Sequence, residues 1–166
     1  PCDFATRASR CFWDRTVSLD LSGHTTFDLQ IYAPDPSAIS SFTLYFRSGA
    51  GWYSGGATLS GSGWQTLKFS RSEFLTEGTP SGWGAIDGIR LSPWKGAARD
   101  TYLAVRQLRA FTPPVMIVRD HASSNLEVVN QTIERHVTWL GGYNIDCGVV
   151  SRADVEAGLL NGGKLA

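Results

Sequence analysis

Apolar and polar side chains alternate in short runs between residues 26 and 111, and this alternation restricts the fold more than any other feature of the chain. The apolar positions of the two clearest runs are Phe27, Leu29 and Ile31 in Thr26–Tyr32, then Phe42, Leu44 and Phe46 in Phe42–Arg47. A period of two predicts strands that bury one face and leave the other in solvent.

Turn residues separate the predicted strands at short intervals. Further strands are predicted over 51–59, 64–70, 87–92 and 101–111. The turns are Pro34-Asp35-Pro36, Ser48-Gly49, Gly61-Ser62-Gly63, Gly78-Thr79-Pro80 and Pro93. Short alternating strands with frequent turns are typical of an antiparallel β-sandwich or jelly roll.

The composition changes at Pro113-Pro114. All eight Phe and five of the six Trp precede Thr112. Proline pairs cannot continue a sheet or a helix and often separate domains. We therefore expect a β-sandwich over 1–112 and a second unit over 113–166.

The second unit changes to a helical period. Val115–Val118 is a short apolar strand, and a helix is predicted from Ser124, with Glu127 at capping-box spacing and Gly141-Gly142 at its end. A strand over 144–150, a helix from Ser151 and a third strand from Lys164 follow. This β-α-β-α-β order predicts the start of a parallel α/β domain. Either the parent protein is longer, or the remainder of that domain is disordered or cut away.

Charge and hydropathy disfavour two classes of partner. Fifteen basic residues balance fifteen acidic ones, so the chain has no broad electrostatic attraction for nucleic acid. No apolar run is long enough to span a bilayer. Nucleic-acid binding and a membrane span are therefore not expected.

The cysteines indicate structure rather than metal chemistry. Cys2 and Cys11 are either paired in a disulfide, as secreted proteins permit, or are two buried free thiols. Cys147 lies in an apolar strand and is expected to be a buried thiol. Three cysteines without a CxxC motif or a paired His predict no zinc site.

No catalytic set is recognisable. His24, His121 and His136 are scattered, and the two Glu of the first unit, Glu73 and Glu77, share one loop. His121 follows the first parallel strand, where open α/β sheets bind ligands, or it is part of a loop that turns into the helix. We expect no cofactor and no catalysis by this chain alone, and leave open whether a longer parent protein is an enzyme.

Outward-facing planar and aromatic residues are the candidates for a binding site. Sugar rings stack on aromatic side chains and their hydroxyls pair with fork-shaped polar groups. Tyr45 and Arg47 are the strongest candidates, because they share one side of one strand. The full candidate set is Tyr45, Arg47, Asp28, Gln30, Tyr32, Arg90 and Arg106. The alternative is that these residues only cover the sheets.

The first unit resembles a known class of domain. The motif residues are Gly63-Trp64-Gln65-Thr66-Leu67-Lys68-Phe69-Ser70, Phe74, Gly82-Trp83 and Ile86-Asp87-Gly88-Ile89-Arg90-Leu91-Ser92, with an opening segment at 13–22 and a closing one at 102–108. They resemble the carbohydrate-binding modules and galactose-binding-like jelly rolls. The resemblance implies glycan binding without catalysis, and a structural calcium near the first strands with Asp14 and Asp20 as the available ligands.

The second unit, over 115–165, resembles the start of the glutamine-amidotransferase-like, flavodoxin-like domains found in large bacterial glycoside hydrolases. Together the two resemblances imply a module of a larger, extracellular or periplasmic carbohydrate-active protein, although no signal peptide is visible here. Its partners would be a glycan and the remaining domains of the parent chain. The alternative is an accessory domain that packs against a catalytic domain and binds no sugar.

Overall fold

The computed structural model describes residues 1–6, 9–113, 115–119, 125–142, 145 and 147–156. The strands are β1 Trp13–Leu19, β2 Thr26–Ala33, β3 Ile39–Ala57, β4 Gly63–Ser70, β5 Leu75–Pro80, β6 Ile86–Lys95, β7 Ala104–Phe111, β8 Val115–Arg119 and β9 Cys147–Ser151. The α-helices are α1 Leu126–Gly142 and α2 Arg152–Glu156, and short 3₁₀ turns cover Pro36–Ala38 and Arg71–Glu73. The described chain is mainly β, as the alternation predicts.

The first unit forms two antiparallel sheets. One has the strand order β1-β6-β3-β5 and the other the order β4-β2-β7. One apolar core takes side chains from both sheets, and the Phe27 and Phe46 rings meet there with centroids 4.8 Å apart. Trp83 adds to the same core by stacking on Tyr53 at 4.2 Å. The two sheets therefore face each other in a sandwich-like arrangement.

Three of the predicted turns lie inside strands. β3 runs through Ser48-Gly49, where Gly49 has a φ of +58°, and changes its partner there from β6 to β5. Glycine adopts this left-handed conformation without strain, so it bends the strand instead of ending it. β6 likewise continues through Pro93, whose side chain is fully buried opposite Phe42. The third turn, Gly78-Thr79-Pro80, is wrong as well, because these residues form the end of β5 and pair with β3.

The second unit contributes a two-stranded parallel sheet and helix α1. β8 and β9 pair from Val115–Cys147 to Arg119–Ser151. The carbonyl oxygen of Val149 accepts hydrogen bonds from the hydroxyls of Ser70 (2.6 Å) and Ser72 (2.9 Å), which join β9 to the end of β4. The predicted third strand, His121 and the helix start at Ser124 lie outside the described residues. Within the described ranges no helix has the length and apolarity needed to cross a membrane.

Candidate functional site

The seven predicted site residues divide between two outer faces, because β2 and β3 belong to different sheets. Tyr45, Arg47 and Arg90 lie on the outer face of β1-β6-β3-β5, here called the four-stranded face. The outer face of β4-β2-β7, here called the three-stranded face, carries Asp28, Gln30, Tyr32 and Arg106. The single site assumed from the sequence is therefore not formed.

Tyr45 points away from the core, as the alternation predicts, but other side chains cover it. Only 7% of the residue is exposed. Its ring meets the edge of Trp52 at 5.9 Å, and the guanidinium carbon of Arg10 lies 5.8 Å from its centroid. Tyr45 is consequently a packing residue, and its expected role as an exposed sugar platform is not supported.

The four-stranded face carries an alternating series of arginines and aromatic rings. The series, in spatial order, is Trp94, Arg10, Phe12, Arg90, Trp52 and Arg47. Each guanidinium carbon lies between 4.4 and 5.9 Å from the neighbouring ring centroid. Contacts of this kind are favourable because the ring face carries partial negative charge. We call this series the arginine–aromatic ladder.

Carboxylates complete the ladder. Arg90 holds Asp14 with two hydrogen bonds, of 2.6 Å from Nε and 2.8 Å from Nη2, and Arg47 Nε holds Asp87 at 2.6 Å. These hydrogen bonds lower the pKa of Asp14 and of Asp87 below the ordinary range. Arg47 and Arg90 of the ladder thus have carboxylate partners, which suits packing better than ligand binding.

Asp14 and Asp20 do not fit the calcium site that the resemblance implies. Both oxygens of Asp14 accept from Arg90, while Oδ1 of Asp20 accepts from the backbone and hydroxyl of Ser22. Among the residues with described positions, no three His, Cys, Asp or Glu side chains are grouped as metal ligands. Ca²⁺ needs six to eight oxygen ligands, which these two carboxylates do not converge to supply.

The three-stranded face is open and carries exposed aromatic rings. Trp64 is 55% exposed and Tyr102 is 49% exposed. Tyr32 lies between them, with its ring centroid 5.6 Å from that of Trp64 and 6.1 Å from that of Tyr102. The three rings form a continuous patch, called here the aromatic patch, at one end of the sheet.

A shallow cavity of about 170 Å³ adjoins the aromatic patch, and it is lined by Gln30, Trp64, Gln65, Thr66 and Arg106. The Gln65 side chain is fixed by the turn before β4, since its amide donates to the Gly61 carbonyl at 2.7 Å and its oxygen accepts from the Ser60 backbone. Planar amides and a guanidinium thus lie beside an exposed indole. A flat polar ring with apolar C–H faces would find both kinds of contact there.

A β-bulge directs Arg106 toward the cavity. In the β2–β7 pair, Gln30 is opposite Gln107 but Ile31 is opposite Val105, so Arg106 is the extra residue of β7. Bulges redirect a side chain that regular alternation would send elsewhere. Arg106 is exposed, and no ion pair to it occurs in the described part of the chain.

Asp28 lies deeper on the same face and is not open to a ligand. It is 8% exposed, and its Oδ2 accepts a 3.1 Å hydrogen bond from Arg109 Nη2. Register places it between Lys68 of β4 and Arg109 of β7. We therefore assign it to the support of the sheet face.

Trp64 and Tyr102 are exposed platforms that the set of candidates predicted from the sequence lacks. A signal for Trp64 was present, since Leu67 and Phe69 point into the core and Trp64 has the opposite parity. Tyr102 precedes β7 and faces Tyr32, which is a tertiary contact that no local pattern reports.

The two N-terminal cysteines are neighbours, and both are free thiols in the structure. Burial, followed by the proximity of Cys11, raises the pKa of the Cys2 thiol to about 12. The Cys2 backbone exchanges hydrogen bonds with Thr101, which ties this end of the chain to the sandwich. The disulfide remains a prediction.

The described histidines lie in different parts of the chain. Nδ1 of His136 lies 2.7 Å from the Thr132 carbonyl oxygen of its own helix, and His24 lies in a turn.

Comparison with known proteins adds no identification, since the chain matches no protein-family model and no curated protein.

Proposed function

We propose that the first unit is a carbohydrate-binding module without catalytic activity, that its two sheets form a jelly roll, and that it binds glycan on the three-stranded face. The observation that carries this proposal is the aromatic patch of Tyr32, Trp64 and Tyr102 beside the cavity lined by Gln30 and Arg106. The parent is proposed to be a larger extracellular or periplasmic carbohydrate-active protein, with the second unit as the start of an α/β domain.

The physical support is the combination of exposure and shape. Trp64 and Tyr102 are each about half exposed, so a stacked ligand would cover apolar ring surface that now faces water. Covering this surface is favourable, and the ring faces have no hydrogen bonds to break. The neighbouring amides and guanidinium supply donors and acceptors in planes that match pairs of sugar hydroxyls. Stacking and one charged hydrogen bond contribute on the order of 1 kcal/mol each, so a single sugar would bind weakly and a chain of sugars more firmly.

Affinity gel electrophoresis tests the proposal. The protein is run through gels that contain soluble polysaccharides, both neutral and acidic, and its mobility is compared with that in a plain gel. We expect retardation by at least one polysaccharide, and we expect Trp64→Ala and Tyr102→Ala to reduce it about tenfold, a loss of about 1.4 kcal/mol.

The matched control is Trp139→Ala, because Trp139 is 62% exposed but lies on α1. This variant should be retarded like the parent chain. Equal retardation of Trp64→Ala and the parent chain, or retardation by none of the polysaccharides, would contradict binding on the three-stranded face.

A second candidate function is a structural accessory domain that binds no sugar. The arginine–aromatic ladder favours it, since this large set of exposed-face residues is used in internal packing. The same gels decide between the two, because the accessory domain would leave every polysaccharide unbound.

A further inference from the structure

We propose that Arg106 makes the three-stranded face selective for acidic sugars, with the carboxylate of a uronic acid as the group recognised. This inference rests on the proposed function and specifies the ligand of the same face. It is carried by the β-bulge that turns Arg106 to the cavity and by the charges around it.

The described side chains of the face carry more positive than negative charge, although the whole chain is neutral. Among the residues that the structure describes, Lys68, Arg106 and Arg109 lie on it together with one carboxylate, that of Asp28. Arg109 is paired with Asp28, at 3.1 Å. An anionic ligand would therefore meet a complementary potential, whereas a neutral one would gain nothing from it.

Arg106 differs from the arginines that serve the structure. Arg47, Arg90, Arg99 and Arg109 of the first unit each pair with an Asp. The guanidinium of Arg106 instead lines the cavity beside Trp64 and Gln30. A planar guanidinium pairs with a carboxylate through two parallel hydrogen bonds, and this match selects carboxylates over hydroxyls.

The spacing suits a single uronic acid. Trp64 and Arg106 belong to the strands on either side of β2, whose neighbours lie roughly 4.8 Å away on each side, so the two backbones are about 10 Å apart. A pyranose ring stacked on the Trp64 indole can extend its C6 carboxylate along the face toward Arg106. Gln30, on the strand between them, is in position to bind a ring hydroxyl.

The test compares two polymers that share one sugar but differ in charge, together with a sulfated polymer of another sugar. The protein is run in affinity gels that contain polygalacturonate, its methyl ester, or dextran sulfate, at low and high salt. We expect polygalacturonate to bind about tenfold more tightly than the methyl ester, and added salt to weaken only the acidic interaction. Dextran sulfate should bind less well than polygalacturonate, because a tetrahedral sulfate matches the guanidinium fork less closely.

Arg106→Gln should abolish the tenfold preference, because it should weaken binding to polygalacturonate much more than binding to the methyl ester, and Arg106→Lys should restore only part of the preference. Arg15→Gln is the matched control, because Arg15 is exposed on β1 of the other sheet. Its preference should equal that of the parent chain.

The outcomes separate this inference from the proposed function. Trp64-dependent binding that is equal for polygalacturonate and its ester overturns the inference and retains glycan binding. Tighter binding of dextran sulfate than of polygalacturonate overturns the assignment of a carboxylate. Loss of preference in Arg15→Gln would show a non-local charge effect and also overturn it. Retention by none of these three polymers overturns the inference, and retention by none of the neutral and acidic polysaccharides of the first test overturns both proposals.

Discussion

Replacement of Tyr45 by alanine should destabilise the protein without touching the proposed binding face. Tyr45 is 7% exposed and packs against Trp52 and Arg10. A buried tyrosine removes about 150–250 Å² from water, worth roughly 4–6 kcal/mol at about 25 cal/mol per Å². Because the unfolded chain already buries part of this surface, we expect Tyr45→Ala to lower the free energy of unfolding by about 3 kcal/mol.

For a chain of 166 residues, this loss corresponds to a decrease in Tm of roughly 6–12 °C. Urea and thermal unfolding followed by circular dichroism measure both quantities. Tyr45→Phe is the conservative control and should lie within about 1 kcal/mol of the parent chain, because the ring contacts remain. Trp64→Ala removes a side chain that is already half exposed and should also change stability by less than about 1 kcal/mol.

If Tyr45→Ala unfolds at the temperature of the parent chain, the ladder does not cover Tyr45 and our assignment of the four-stranded face to packing is wrong. If it also loses glycan retention in the affinity gel, the binding site belongs to that face.

Three further predictions concern the ion pairs, the cysteines and the two units. The hydrogen bond from Arg90 lowers the folded-state pKa of Asp14, so the ion pair stabilises the protein fully above about pH 4 and loses this effect as the pH falls through the folded-state pKa. The difference in unfolding midpoint between the parent chain and Asp14→Asn should therefore shrink from pH 6 to pH 2. Mass spectrometry of unreduced peptides should show Cys2 joined to Cys11, and alkylation of both thiols without a reductant would refute that disulfide. A chain ending at Thr112 should fold with cooperative unfolding, because the core of the sandwich lies within residues 2–110, and a disordered product would refute the boundary at Pro113-Pro114.

Alternation predicts the fold class well because it is a local property. The register of β2 follows from Phe27, Leu29 and Ile31, all of which are fully buried. Local pattern fails at Gly49, where a turn residue predicts the end of a strand. Instead β3 continues through it, because it pairs first with β6 and then with β5. The type of residue shows which backbone conformations are possible at a position, but hydrogen bonds with distant strands determine whether a turn forms there.

The site was harder to predict because it depends on which strands are neighbours. Gln30, Tyr32 and Arg106 are predicted to face outward, and the structure gathers them on one face. Tyr45 is also predicted to face outward and does so, but the residues that cover it, Arg10 and Trp52, come from elsewhere in the chain. The alternation along a strand predicts which way a side chain points, whereas its exposure depends on which distant residues cover it.

The central claim is that glycan binds on the three-stranded face, and an NMR titration tests it most directly. Each Trp indole N–H gives one signal in a ¹⁵N-labelled sample, and Trp64→Phe and Trp52→Phe variants assign the two signals that matter. Addition of oligogalacturonate should shift the Trp64 signal and leave that of Trp52, within the arginine–aromatic ladder, unchanged. Shifts confined to Trp52, or no shift with acidic and neutral oligosaccharides alike, would contradict the claim.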